Sequence, residues 1–177
     1  GSVESIGDNV FSNVPWITIP SDSSLITIGD NNFCRCAGEV YLPDSVTSVG
    51  KGCFGPHVVL KSNLMEIFDN QVLSKDHRHL YRYVGEDKDY TVPEYVEYLH
   101  SGFLNHLSIE KLYINKDYNY DEYTLAGISS VEEVVFGDEV TIIPGYFAAK
   151  SNLYSVTIGK NVSKIGSHAF AYCSTLG

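Results

Sequence analysis

Three short stretches of this 177-residue chain carry side chains whose type and spacing could do chemistry. The first is Asp117-Tyr118-Asn119-Tyr120-Asp121, which sets an oxygen-bearing side chain at every second residue, as a calcium loop begins. Such a loop also needs a glycine at its sixth place for the sharp turn and a bidentate glutamate at its twelfth. Those places hold Glu122 and Ile128, so a solvated acidic loop is the simpler reading. The second is Asp76-His77-Arg78-His79, with two imidazoles on one side of a possible strand. Two ligands do not make a transition-metal site, and an exposed hairpin tip accounts for the same residues. The third is Cys34-x-Cys36, which lacks the two Cys-x-x-Cys pairs that zinc motifs usually need. His57, His100, His106 and His168 are scattered and join no Ser or Cys nucleophile through a known motif. A glycine-rich phosphate loop is absent, and the carboxylates are spread too evenly to assign a catalytic pair. No catalytic residue, cofactor or metal is therefore assigned, and an enzyme is not expected.

Composition narrows the partners. With 22 acidic against 12 basic residues the net charge is −10, which disfavours nucleic acid and anionic membrane surfaces. No apolar run approaches the roughly 18–20 residues of a membrane-spanning helix, so direct membrane insertion is not expected. No signal peptide opens the chain. Gly1-Ser2 reads as a cleavage scar and the only methionine is Met65, so a piece of a longer protein is expected. Four cysteines at uneven spacing do not form a disulfide framework.

The elements that position these residues come from a repeat. Val156-Thr157-Ile158, Val162-x-x-Ile165-Gly166, Ala169-Phe170 and Cys173 form one unit near the C-terminus. The preceding unit holds Val134-Val135-Phe136, Val140-x-x-Ile143 and Tyr146-Phe147. Near the start, Ile17-Thr18-Ile19-Pro20 leads to Leu25-x-x-Ile28-Gly29, Phe33 and Cys36. Val40-Tyr41-Leu42-Pro43, Val46-x-x-Val49-Gly50 and Phe54 follow. The middle carries Tyr90-Thr91-Val92-Pro93, Val96-x-x-Leu99 and Phe103, then Leu112-Tyr113-Ile114. Val3-x-x-Ile6-Gly7 and Phe11 are the back half of an earlier unit. A unit of about 22 residues thus recurs, whole or in part, seven times.

Val-x-Ile alternation has period two and is β-branched, which predicts a short strand with two inward residues. Pro or Gly after it turns the chain. Val-x-x-Ile-Gly supplies a second inward pair, and Phe fills the third side of a coil. Cys36 and Cys173 fall three places after that Phe, where a small buried apolar residue fits. One coil cannot bury these side chains alone, whereas stacked coils share one core. Ile19, Leu42, Val92, Ile114, Phe136 and Ile158 should then lie in one row.

The pattern LxxVTIxxxVxxIGxxAFxxC resembles the leucine-rich repeats of the BspA-like type. The resemblance covers residues 14–57, 89–106 and 131–176 and fades at 58–88 and 115–130. It implies a right-handed leucine-rich-repeat solenoid, a β-α superhelix with a parallel sheet on one face and short strands or helical turns on the others. It further implies a surface or secreted bacterial protein that adheres to host proteins or other cells. BspA-like chains often carry an insertion of the form x-N-G-V-L-x-x-D-x-x-x-L-x-x-Y-P. Residues 69–84 are similar, with Gln71 in place of the Gly and Val84 in place of the Pro, so Val72-Leu73 and Leu80–Tyr83 should form a hairpin. Residues 115–130 lack the inward pair and the Phe, and a longer loop or a helical turn is expected there. All 177 residues are read as one domain.

What remains for recognition is the skin of the coils. Thr18, Tyr41, Thr91, Tyr113, Val135 and Thr157 occupy the outward place in the front strands, and Trp16, Glu39, Asp89, Lys111, Glu133 and Ser155 stand two places earlier. Nine of the thirteen tyrosines lie between Tyr81 and Tyr123. Tyrosine is enriched at interfaces but also packs well on half-buried strands. Trp16, Thr18, Tyr41, Asp89, Thr91, Tyr113, Tyr118 and Tyr120 are the candidate binding residues. The expected partner is a protein or glycan on host or neighbouring cells, with the chain a monomer or a weak end-to-end dimer. A structural spacer, or a scaffold attached to an enzyme domain, would use the same repeats.

Overall fold

The computed structural model describes residues 3–50, 52–55, 57–104, 107, 109–121, 124–125 and 130–177. The chain divides into two compact units, Gly1–Gly85 and Glu86–Gly177. Among the described residues every regular element is a strand, so the sides left open to helical turns are short strands and turns.

In the first unit, β1 (Ser5–Ile6), β2 (Thr27–Ile28) and β4 (Ser48–Val49) form a parallel sheet in the order β1-β2-β4. Its register, Ile6 beside Ile28 beside Val49, is that of the second inward pair of the repeat. A second parallel pair joins β3 (Glu39–Tyr41) to β5 (Val59–Lys61). Phe11, Phe33 and Phe54 stack between coils with centroids 5.9 and 5.8 Å apart. Fully buried Asn32 braces this corner: its side-chain amide donates to Gly7 O and Gly29 O at 2.9 and 2.8 Å and accepts from Phe11 N at 2.9 Å.

Residues 58–88 hold more than the expected hairpin. β5 is an additional front strand, and β6 (Met65–Phe68) precedes β7 (Gln71–Ser74) and β8 (His79–Tyr83) in an antiparallel meander. The turn from β6 to β7 is Asp69-Asn70, with φ of 48° and 59°. Positive φ at both residues is the two-residue hairpin geometry that Asn and Asp tolerate best after Gly. Arg82 on β8 is buried and donates to Gly52 O, and to Cys53 O at 3.1 Å.

In the second unit, β9 (Asp89–Thr91), β11 (Lys111–Lys116), β13 (Glu133–Glu139) and β15 (Ser155–Thr157) form a four-stranded parallel sheet. β10 (Tyr98–Leu99) pairs with β12 (Asn119–Tyr120), and β14 (Ile142–Ile143) with β16 (Lys164–Ile165). The expected row is present in this unit. Ile114 pairs with Phe136, Val92 N donates to Tyr113 O, and Val135 pairs with Thr157 just before Ile158. Val92, Ile114 and Phe136 are buried, while Ile158 on the last strand is 46% exposed. In the first unit Ile19 and Leu42 are buried, but residues 16–20 form no strand.

The described residues of 115–130 include a strand where a longer loop or a helical turn was expected, while residues 122, 123 and 126–129 lie outside the described residues. Tyr118 and Tyr120 replace the aliphatic inward pair, with Tyr120 in register with Leu99. Buried Leu125 stands where the Phe would be: Leu125 N donates to Phe147 O, and Gly102 N donates to Thr124 O. Left-handed backbone recurs with the coil, at Asn9 and Asn31, Tyr146 and His168, and Lys150 and Tyr172, each pair 22 residues apart.

Candidate functional site

Parallel pairing in exact multiples of the coil sets outward side chains in columns. On β9, β11, β13 and β15 the register aligns Asp89, Lys111, Glu133 and Ser155 in one column and Thr91, Tyr113, Val135 and Thr157 in the next. Inward Tyr90, Leu112 and Val134 are buried beneath them. Lys111 Nζ lies 3.1 Å from Glu133 Oε1 and 5.4 Å from the Tyr113 ring centroid. The Glu133 carboxylate first, and Tyr113 after it, hold the Lys111 ammonium above its ordinary range. Flanking the strands, Lys88 Nζ lies 2.6 Å from Glu110 Oε1. The face is therefore a ladder of alternating charge beside a ladder of hydroxyl, phenol and methyl groups, on a rigid sheet. It offers charged and hydroxyl groups and one aromatic ring.

Of the candidate residues, Asp89 and Thr91 are exposed and Tyr113 half-buried on this face. Tyr41 on β3, 46% exposed, pairs with Lys61 in the first unit, where Lys61 Nζ stands 4.0 Å from Glu39 Oε1. Trp16 is 72% exposed and Thr18 is exposed, but neither enters a ladder; Ala37 N donates to Pro15 O at 3.3 Å.

Tyr118 and Tyr120 are a correction: Tyr118 is buried, and Tyr120 is half-buried with its hydroxyl enclosed. The Tyr118 hydroxyl donates to Val92 O at 3.1 Å, and the Tyr120 ring meets Phe147 edge-on at 5.4 Å. Burial pushes both phenols above their ordinary range. That these two side chains face inward follows from the pairing of β12 with β10, which sets Tyr120 beside buried Leu99.

The stretch from Asp117 to Asp121 is spent on neighbouring coils. Asp117 accepts from Thr141 N at 2.9 Å, from Ile142 N at 3.2 Å and from the Thr141 hydroxyl. Asp121 accepts from Ser101 N at 2.8 Å and the Tyr98 hydroxyl at 2.9 Å, with His100 Nδ1 at 3.2 Å. Burial raises both carboxyls, but these donors outweigh it and hold them below the usual carboxylate range. His77 Nε2 lies 2.9 Å from Glu66 Oε1, and its ring stacks on Phe68 at 4.6 Å. Among the described residues no group of three His, Cys, Asp or Glu side chains could hold a metal ion. Glu122, Tyr123, Ile128 and His106, and the terminal Gly1-Ser2, lie outside the described residues.

The thiols have a role that residue type alone did not signal. Cys34, Cys36 and Cys53 donate to the carbonyls of Ser12, Val14 and Gly29 at 3.3, 3.0 and 3.2 Å, and Cys173 to Ala148 O at 3.2 Å. Each thiol thus reaches the preceding coil. Burial is the main cause that pushes Cys53 up to about 12, which leaves it an unreactive thiol.

Comparison with known structures places this geometry. A leucine rich cell surface protein of Faecalibacterium prausnitzii A2-165 is 20% identical with a TM-score of 0.65, and the match covers 98% of this chain and 50% of that one. A leucine-rich repeat protein of Bacteroides ovatus ATCC 8483 is 18% identical (TM-score 0.52), covering 98% and 57%. One from Eubacterium ventriosum ATCC 27560 is 16% identical (TM-score 0.53), covering 94% and 67%. At these identities the likeness shows the fold, and the chain spans about half the length of the first two. No curated protein matches the sequence. The pattern described as BspA type Leucine rich repeat region matches in 6 copies over residues 1–75 and 79–177, and the chain belongs to that family.

Proposed function

We propose that the chain is a non-enzymatic binding module of a bacterial cell-surface or secreted protein, which holds a protein or glycan of host or neighbouring cells. The observation that carries this is the paired ladder on β9, β11, β13 and β15, where Thr91, Tyr113, Val135 and Thr157 stand in register beside Asp89, Lys111, Glu133 and Ser155. Such a column of adaptable polar groups around one tyrosine suits recognition at low entropic cost. Rigid strands hold it to the spacing of the coil, so a partner meets a fixed array of charges. The Faecalibacterium relative is described as a cell surface protein, which agrees with a surface location.

The test is cell binding by the labelled 177-residue chain, measured by flow cytometry on epithelial and bacterial cells. Tyr113→Ser combined with Lys111→Glu should abolish binding while leaving the circular dichroism spectrum unchanged. Equal binding by wild type and variant would end this reading and leave the structural spacer.

A further inference from the structure

β1 is the edge of the sheet β1-β2-β4, and β16 pairs with β14 alone among the described residues. Beside β1 lies a mainly apolar groove of about 380 Å³, whose lining includes Val3, Ile6, Phe11, Ile17, Ile19 and Leu25. On the coil of β16, Ile158 and Ile165 are 46% and 48% exposed and Phe170 is half-buried. Both faces therefore show side chains that the repeat turns inward.

Successive coils are joined by the same backbone bonds. Gly29 N donates to Ile6 O, Gly50 N to Ile28 O and Gly166 N to Ile143 O, at 2.8, 2.7 and 2.8 Å. Ile26 N donates to Glu4 O, Thr47 N to Ile26 O and Ser163 N to Thr141 O, at 2.8, 2.9 and 2.9 Å. In the other direction Asn9 N donates to Asp30 O and Tyr146 N to Ser167 O. Ser163 N and Gly166 N are thus spent on the coil of β14, and the carbonyls of Ser163 and Ile165 face away from it. On the open side of β1, Glu4 N and Gly7 N have no acceptor among the described residues. Val162-x-x-Ile165-Gly166 and Val3-x-x-Ile6-Gly7 are the same places of the repeat, so these acceptors and donors match in register.

Gly7 points the same way. A Cβ on Gly29 would stand 2.7 Å from the Gly7 carbonyl carbon, and one on Gly50 would stand 2.5 Å from that of Gly29, because here each coil nearly touches the one before. A Cβ on Gly7 would meet only Val10 Cγ2, at 3.9 Å, and its φ is not positive. Nothing within one copy requires glycine at this place.

We propose that copies of this chain associate head to tail, with β16 of one copy laid parallel on β1 of the next. Glu4 N and Gly7 N of the next copy donate to Ser163 O and Ile165 O. Ile165 covers Ile6, Phe170 extends the row of Phe11, Phe33 and Phe54, and Gly7 lets Gly166 approach. Only this direction repeats the contact that each coil makes with its neighbour. Unlike faces meet, so the association is heterologous. One coil face is small, so the contact is a weak one. It uses β16 and β1, not the outward residues of the β9–β15 ladder, and does not rest on the function proposed for them.

Sedimentation equilibrium of the 177-residue chain tests this. The average mass should rise between about 10 μM and 1 mM, the range of a weak contact. Gly7→Ala and Ile165→Asp should each keep the native circular dichroism and stay monomeric. Mixed one to one they should form a dimer and nothing larger, because one intact β16 face meets one intact β1 face. A second measurement needs neither variant. Ser5→Cys mixed with Lys164→Cys should cross-link under mild oxidation, since paired strands lie about 4.8 Å apart, and neither alone should exceed wild type. A wild-type chain that stays monomeric overturns the proposal, as does a mixture that forms neither dimer nor cross-link. Self-association of Ile165→Asp alone overturns it in favour of two β1 faces meeting, and that of Gly7→Ala alone in favour of two β16 faces.

Discussion

Asp117 and Asp121, four residues apart, brace opposite neighbours: Asp117 accepts from Thr141 N and Ile142 N on the following coil, and Asp121 from Ser101 N on the preceding one. A calcium loop needs its alternate oxygens to converge on one point. On β12 and its flanks they diverge, because the coil runs between two others and each carboxylate satisfies backbone amides that a turn leaves open. The same spacing that resembles a metal loop is here a pair of staples between coils.

Replacing these carboxylates has a pH signature. Asp121 in the folded chain lies below its ordinary value, held there by Ser101 N–H, Tyr98 and His100 against the opposing effect of burial. The group therefore contributes stability that is present above the unfolded value of about 3.9 and is lost as pH falls through the lower folded value. Asp121→Asn should cost about 1–2 kcal/mol at pH 7, at the lower end for hydrogen bonds to charge because the site is partly solvated. That difference should shrink below pH 4 and not above it. Urea denaturation of both forms at pH 7, 4 and 3 measures it, and a constant difference across that range contradicts the staple.

Tyr118, Tyr120 and Tyr113 separate core from face. The Tyr120 hydroxyl is enclosed and has no hydrogen-bond partner among the described residues. A buried hydroxyl without a partner carries a desolvation penalty of about 1–3 kcal/mol. Tyr120→Phe should then leave stability unchanged or raise it by up to ~1 kcal/mol, whereas Tyr120→Ala should cost about 3–5 kcal/mol. Tyr118→Phe should lose about 1 kcal/mol with its bond to Val92 O. Half-buried Tyr113→Ser on the outer face should change stability far less than Tyr120→Ala. Thermal melts of the four variants give the ranking.

The repeat was legible wherever inward positions hold aliphatic residues and Phe. Val156-Thr157, Val134-Val135 and Leu112-Tyr113 became strands in the register that their spacing demands. It failed where another residue does the same work. Tyr118 and Tyr120 fill the inward pair, and Leu125 fills the Phe place, so the coil looked irregular although its length is ordinary. The Asp69-Asn70 turn was missed because neither residue is Gly, yet both adopt positive φ. Ile17-Thr18-Ile19 failed in the other direction: alternation fixes which side chains face inward, and Ile19 is buried, but it does not by itself create a ladder. Of the eight candidate binding residues, outwardness was readable for those on regular strands, and Tyr118 and Tyr120 were assigned from abundance of tyrosine alone.

Stacked corners limit what can replace glycine. A Cβ on Gly50 would stand 2.5 Å from the Gly29 carbonyl carbon and from Asp30 N, and one on Gly29 would stand 2.7 Å from the Gly7 carbonyl carbon. These neighbours are backbone, which cannot move aside without opening the ladder of β1, β2 and β4. Gly50→Ala should cost about 1–3 kcal/mol as an overpacked contact. Gly38→Ala, whose new methyl would meet only ordinary contacts at 3.8 and 3.9 Å, should cost well under that. Paired urea melts decide, and equal losses for the two would show that the close approach of Gly50 to Gly29 does not matter.

At Lys150 the opposite change should help. Its φ is 61°, it is exposed, and its N–H donates to Ala171 O at 2.8 Å in a turn that Tyr172 repeats one coil later. A residue with a Cβ loses about 1–2 kcal/mol in left-handed backbone, whereas glycine adopts it freely but gives up about 0.5–1 kcal/mol in chain entropy. The difference favours Lys150→Gly by roughly 0.5–1 kcal/mol. The N–H bond to Ala171 is retained, so the gain should register as a higher midpoint at an unchanged denaturant slope. A lower midpoint would mean that the lysine side chain holds the turn by a contact worth more than its backbone strain.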